Sequence, residues 1–248
     1  MAAFLIALQF LTIIPIKTPR AKDDELAASC VFFPLAGLVI GLILFIADKA
    51  LRSTLYASPL VSSTIVVILS ALISGGLHLD GLADTFDALS VNRDRAGKLE
   101  VMRDSHIGTM GVLALINVML LKILFLSETG SFIKFPALLS MCALSRWTQV
   151  FCIHGFSYAR DSGKAKVFFS AMNNRIFLVA GFITLLLSIL LLWLNGIYLF
   201  LAVTIFAFLL GKFFSSRFGG LTGDTLGAIN EIIEVLVLFI LIILNRFI

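Results

Sequence analysis

SPLVSSTIVVILSALISGGLHLDGLADTFDAL, residues 58–89, runs from a long apolar segment straight into three carboxylates. Residues 58–77 are long and apolar enough to cross a bilayer core of roughly 30 Å. Asp80, Asp84 and Asp87 then follow at i, i+4 and i+7. On an α-helix those positions share one face. The stretch therefore reads as a membrane-spanning helix that delivers an acidic face to the membrane edge.

The rest of the chain has the same apolar character. Of its 248 residues 60% are hydrophobic and only 14% charged, and the mean hydropathy is +1.06. Soluble domains carry about a quarter charged residues, so the chain belongs to the integral-membrane class. The alternating ten-residue strands of a membrane barrel are absent. Spans are expected at about 31–47, 58–77, 107–126, 135–153, 176–194, 197–214 and 229–246. Leu194-Asn195-Gly196 makes a tight turn between two of them. Residues 3–16 are short for a span and end at Pro15, so an interfacial or re-entrant helix is expected there. They lack a basic n-region and an A-x-A site, and so read as retained rather than as a secretory signal. No repeat or linker divides the chain. The expected fold is all-α: one domain, residues 1–248, forming a polytopic membrane bundle of about seven helices. Cys30, Cys142 and Cys152 sit in apolar context without CxxC spacing, and read as reduced packing residues.

Seven spans put alternate loops on opposite sides. One side receives the N-terminal segment and the loops near 78–106, 154–175 and 211–228. It holds thirteen of the 19 Lys and Arg residues, from Lys17 and Arg20 to Arg217. The other side holds Lys49, Arg52, Lys122, Lys134 and Arg246, and Arg146 lies inside a span. Short basic loops stay cytoplasmic, so the first side is expected to be cytoplasmic and the protein a multi-pass protein of the cytoplasmic (inner) membrane. Most acids lie on that side too, which makes it the expected active face. The lipid bilayer is one expected partner, nucleic acid is not one, and a homo-oligomer is left open.

Three clusters there carry candidate chemistry. In the first, Asp80, Asp84 and Asp87 would repel one another without a cation between them. Hard divalent ions such as Mg²⁺ take carboxylate oxygens and keep waters that a phosphate can replace, so a Mg²⁺ site gripping a diphosphate is expected. A solvated acidic helix end is the plain alternative. Acids at membrane depth are costly and usually functional, while Gly81 permits close approach of backbone or ligand. The second cluster runs from Arg93 through Lys98, Arg103, Asp104 and Ser105 to His106. Positive-inside loop composition explains most of its basic residues. Ser105 is placed to cap the following span, and Ile107–Gly111 opens that span as an anion site. Asp104 is a salt-bridge partner or a further metal ligand. The third cluster is GGLTGDTLGAINEIIE, residues 219–234. Its glycines and threonines around Asp224, with Gly223, Thr225 and Glu231, suit phosphate cradling, although GxxxxGK[ST] is absent. A polar re-entrant turn is the alternative there. Arg146 binds a phosphate, snorkels or pairs with a buried acid.

GGLHLDGLADTFDAL (75–89), LEVMRDSHIGTMG (99–111) and GGLTGDTLGAINE (219–231) together resemble the signature segments of the cobalamin synthase family, the adenosylcobinamide-GDP ribazoletransferases. FLTIIPI (10–16) and FFPLAGLVIG (32–41) resemble it as well. Two positions depart from the family pattern: Ala88 stands where Gly is common, and His106 where Arg is usual. The resemblance implies a Mg²⁺-dependent enzyme that joins adenosylcobinamide-GDP to α-ribazole or its 5′-phosphate. The products are adenosylcobalamin or its 5′-phosphate, and GMP. In that reading Asp80, Asp84 and Asp87 with Asp224 bind the metal, which bridges the diphosphate. Asp87 or His78 accepts the hydroxyl proton, Asp87 being preferred, and Arg93, Lys98 and Arg103 hold guanosine phosphates. A prenyltransferase would want NDxxDxxxD and DxxxD, and a CDP-alcohol phosphotransferase would want an Arg at position 85. A cation transporter would place acids near the midplane of several spans.

Overall fold

The computed structural model describes residues 2–16 and 22–245. Lys17, Arg20 and Arg246 lie outside them. Twelve α-helices and a 3-10 turn at Cys30–Phe32 make up the described chain: α1 (Ala2–Leu11), α2 (Asp23–Ser29), α3 (Phe33–Thr54), α4 (Pro59–Ile73), α5 (Leu77–Ser90), α6 (Arg95–Val101), α7 (Thr109–Glu128), α8 (Ser131–Gly155), α9 (Lys166–Ala171), α10 (Asn174–Leu192), α11 (Leu194–Phe218) and α12 (Gly223–Asn245).

Local sequence sets many of these boundaries. Pro59 occupies the first turn of α4, where its missing N–H costs nothing, and the Ser58 side chain accepts from Val61 N. Asn173 caps α10 by accepting from Ile176 N at 3.0 Å. At α12, Thr225 Oγ1 accepts from Thr222 N at 2.8 Å and Thr222 Oγ1 accepts from Thr225 N at 3.1 Å. That is a reciprocal cap, so Thr225, expected at substrate, is occupied in starting the helix.

Among the described residues, five helices are long and apolar enough to cross a membrane: the continuous run Asp23–Thr54, and α7, α10, α11 and α12. A sixth is counted if α4 and α5 are taken as one span bent by 89°. The expected count of seven included α8. At 25 residues it has the length, but not the apolarity, and the reason is its position. Every residue from Ala137 to Val150 is buried, with α3 and α12 as its most extensive neighbours. Over that stretch the helix touches no lipid, so Ser140, Ser145, Arg146, Thr148 and Gln149 are tolerated there. Residues 3–16 form a helix only to Leu11. Ten residues rise about 15 Å, too short to cross.

Gly37 and Gly41 fix how closely α3 approaches α8. A Cβ on Gly37 would lie 2.2 Å from Cys142 O, and one on Gly41 2.6 Å from Leu138 O. This is the small-residue spacing that lets membrane helices meet backbone to backbone. Gly37→Ala is expected to cost about 1–3 kcal/mol of stability through overpacking, read as a lowered melting temperature in detergent.

Lys122 and Lys134, counted above with the other side of the membrane, are both buried within helices, at 4% and 1% exposure. Lys134 donates to Ser63 Oγ and Leu126 O and lies 4.0 Å from Asp48. Lys122 lies in the bundle interior. The loops at that end are instead marked by exposed aromatics: Tyr56, Phe132 and Trp193 are 88%, 99% and 82% exposed. Tyr and Trp rings, apolar in body and polar at one tip, collect at membrane–water interfaces.

The opposite end carries the site. There α5 turns across the bundle and meets the starts of α7 and α12, with Gln149 of α8 against His78.

Candidate active site

Two contacts seat α5. A Cβ on Gly81 would lie 2.6 Å from Asp224 O, so this glycine lets α5 rest directly on the first turn of α12. Asp87, in the last turn of α5, then reaches α7. Its Oδ2 accepts from Gly108 N and its Oδ1 from Gly111 N, both at 2.7 Å. Gly108 is the N-cap of α7, and a buried anion there satisfies free N–H groups and complements the helix dipole.

Three expectations are corrected by this arrangement. Asp87 is 9% exposed with both oxygens engaged, so it is a helix cap rather than a metal ligand or base. Ser105 does not cap the span, because Asp87 does so from another helix. The Ile107–Gly111 segment receives an anion, but that anion belongs to the protein. Asp87→Ala is expected to lower stability by about 2 kcal/mol, within the range of lost caps and unsatisfied buried donors. Chemical denaturation in mixed micelles is the check.

A cleft of about 300 Å³ opens beside α5. Asp80 and His78 reach it from α5, Gly223 and Asp224 from α12, and Arg160 and Lys164 from the loop after α8. That loop is held by a short parallel pairing: Leu221 N donates to Ser157 O and Ala159 N to Leu221 O, both at 2.8 Å. The pairing sets Arg160 Nη2 2.8 Å from Asp224 Oδ2. Arg160 Nε is buried without a hydrogen-bond partner, so the guanidinium keeps donor capacity for an anion.

Neither Asp80 nor Asp84 pairs with a cation among the described residues. Asp80 is exposed and Asp84 half-buried. Asp84 lies in the field of the Asp80, Asp224 and Asp87 charges, with Arg160 as the opposing one. This concentration of uncompensated carboxylate oxygen fits a hard divalent cation. No three His, Cys, Asp or Glu side chains among the described residues form a ready-made cage. Mg²⁺ typically uses one or two carboxylates and completes its shell with water and phosphate.

His78 is buried, and its Nε2 lies 2.9 Å from Gln149 Nε2. Gln149 Nε2 also donates to Asn230 Oδ1 at 3.5 Å. His78 Nδ1 is buried without a hydrogen-bond partner, and the residue is one of those that line the cleft.

The remaining expected residues divide sharply. Arg93, Arg103, Asp104 and Ser105 are exposed and Lys98 half-buried, and none of them lines the cleft. Of its two readings, Asp104 is the salt-bridge partner, paired with His106. Its Oδ1 accepts from His106 N at 3.0 Å and meets His106 Nδ1 at 2.6 Å, which holds its carboxyl below the usual range. Glu231 is buried against Lys122 at 2.5 Å, away from the cleft. Arg146 pairs with Glu234, which decides among its three readings. Sequence reasoning missed Arg160, Lys164 and Gln149. The polar run Ser157-Tyr158-Ala159-Arg160-Asp161 was the available signal, but it read as loop charge.

A polytopic helix bundle with an acidic, arginine-bordered cleft at one membrane edge defines a class: a membrane-embedded enzyme built to handle a phosphorylated substrate. Residues 3–242 match the family model described as cobalamin-5-phosphate synthase, and the chain belongs to that family. It is 38% identical to an adenosylcobinamide-GDP ribazoletransferase of Caldanaerobacter subterraneus subsp. tengcongensis, over 94% of this chain and 95% of that protein. A protein of the same name from Roseiflexus sp. is 39% identical, over 94% and 86%. One from Geotalea daltonii is 38% identical, over 96% of each. No solved structure matches the chain.

Proposed function

We propose that this cleft performs the joining step of cobalamin nucleotide-loop assembly. A ribose hydroxyl of α-ribazole, or of its 5′-phosphate, attacks the phosphorus of adenosylcobinamide-GDP next to the cobinamide. A new phosphodiester forms, the bond to the other phosphorus breaks, and GMP leaves with the hydroxyl proton released. The observation that carries this reading is the convergence of Asp80, Asp224 and Arg160 on one cleft from three separate elements.

Arg160 and Lys164 hold phosphate oxygens there, and Arg160 is kept in place by Asp224. Asp80 and Asp84, with Asp224 beside them, would hold Mg²⁺. When bound, the ion supplies neutralisation of the charge that grows on the leaving phosphate. Phosphoryl transfer asks mainly for positioning and electrostatic stabilisation, so the reading survives the loss of Asp87 as a candidate base.

Among the described residues, the cleft end also carries most of the basic side chains outside the bundle interior, from Arg93 to Arg217, while Lys49 and Arg52, in the last turns of α3, lie at the other end. By the positive-inside rule, the cleft faces the cytoplasm and the bilayer is the inner membrane. The test is GMP release by purified, lipid-reconstituted protein. Release that requires adenosylcobinamide-GDP, α-ribazole and Mg²⁺ together is expected. Release without α-ribazole would replace the transfer by hydrolysis, and no release from folded protein would overturn the reading.

A further inference from the structure

One wall of the cleft has no part in phosphate chemistry. Phe10 of α1, Phe33 at the start of α3 and Phe168 of α9 line it. The Phe10 and Phe33 rings are stacked, with centroids 6.0 Å apart and planes 12° apart. Phe168 stands edge-on to both, at 4.8 Å from Phe10 and 5.8 Å from Phe33. Leu77, Ile153 and Leu226 extend the apolar side. Phe33 and Phe168 are 1% and 2% exposed, whereas Phe10 is only half-buried. The first two thus fix the third, and Phe10 offers the open ring surface.

The reaction brings four ring systems near this cleft (corrin, adenine, guanine and benzimidazole), and the wall discriminates among them. At about 300 Å³ the cleft is at the small end of ligand pockets, too small for a corrin macrocycle. Guanine and the adenine of the adenosyl group carry polar edges that want hydrogen-bond partners when buried, and the six wall side chains have none to offer. The base of α-ribazole is a flat, dimethylated benzimidazole, apolar except at its ring nitrogens. Its ribose must also lie beside the diphosphate so that a hydroxyl can attack. An apolar wall adjoining the Asp80, Asp224 and Arg160 side satisfies both demands.

The geometry points to Phe10, backed by Phe33 and Phe168, as the seat of the acceptor's benzimidazole base. This rests on the reaction proposed above and makes α1 a specificity element. The short N-terminal helix, too short to cross the membrane, serves instead to bring an aromatic face to the cleft.

The test is steady-state GMP release in proteoliposomes by Phe10→Ala and Phe10→Leu, with Phe132→Ala, exposed at the opposite end, as the control. Base–aromatic stacking measured by alanine substitution corresponds to roughly tenfold or more in affinity. Phe10→Ala is expected to raise KM for α-ribazole about tenfold, and Phe10→Leu less. KM for adenosylcobinamide-GDP should stay within about twofold, a ratio well below the stacking effect. Wild type should also prefer α-ribazole over the unmethylated benzimidazole riboside by about fourfold per methyl group, and Phe10→Ala should lose much of that preference. An unchanged α-ribazole KM in either variant, or a shift falling on the donor instead, would overturn the assignment and leave the transferase reading intact. If Phe10→Ala melts below the assay temperature, Phe10→Leu with the two acceptors decides alone. A wild type that releases no GMP would count against the reaction itself.

Discussion

Asp84→Asn is expected to lower the rate of GMP release by about a thousandfold or more while leaving the fold intact. A carboxylate that helps hold the metal contributes several kcal/mol to the barrier, and each 1.36 kcal/mol is a tenfold change in rate. The substitution keeps the side-chain volume and removes only the charge. That charge sits half-buried beside Asp80, Asp224 and Asp87, so its removal relieves repulsion. The melting temperature should therefore hold or rise as activity disappears. Opposite movement of the two quantities marks a residue kept for chemistry at the expense of stability. Asp80→Asn should show the same loss of rate. GMP release and thermal melting, measured on one preparation, provide the check. Near-normal turnover in Asp84→Asn would remove the acidic face of α5 from the mechanism.

Membrane spans were legible because a lipid-facing helix must be apolar over most of its length. Residues 33–54, 109–128, 174–192, 194–218 and 223–245 announce themselves that way. The same rule misjudges α8 and α5. α8 is screened from lipid by its neighbours, so its polar residues look like weakness in a span although they mark the bundle axis. α5 continues an apolar run, yet the chain turns at Gly75 and Gly76, whose φ values are +61° and +72°, and runs across the bundle. Helical spacing correctly put Asp80, Asp84 and Asp87 on one side of a helix. It did not show that α5 ends against the start of α7, and that contact turns Asp87 into a cap. Arg160 lay beyond sequence reading for a related reason. A two-residue parallel pairing between Tyr158 and Leu221 leaves no periodic trace, yet it is what carries the guanidinium to Asp224.

The buried charges follow the same pattern, and their replacement is expected to have the largest effect on stability. Lys122 Nζ lies 2.5 Å from both Glu231 Oε2 and Glu234 Oε2, and Glu234 Oε1 also meets Arg146. Two cations and two anions thus balance inside the bundle, with Asn230 Nδ2 donating to Glu234 Oε1 at 3.1 Å. Removing one partner leaves an uncompensated buried charge, which costs about 3–5 kcal/mol. Lys122→Met should accordingly lower the melting temperature by about 6–20 °C, at 2–4 °C per kcal/mol for a chain of this size. A balanced removal should behave differently. In the double variant Lys122→Met with Glu231→Gln, Glu234 still faces Arg146 and no net charge is stranded. Most of the lost stability should return, because exchanging a whole buried pair for neutral groups is often neutral or better. Melting curves for the two single variants and the double variant form the cycle that measures this. If the double variant is no more stable than Lys122→Met, the cost lies in lost packing around the lysine stem and not in stranded charge.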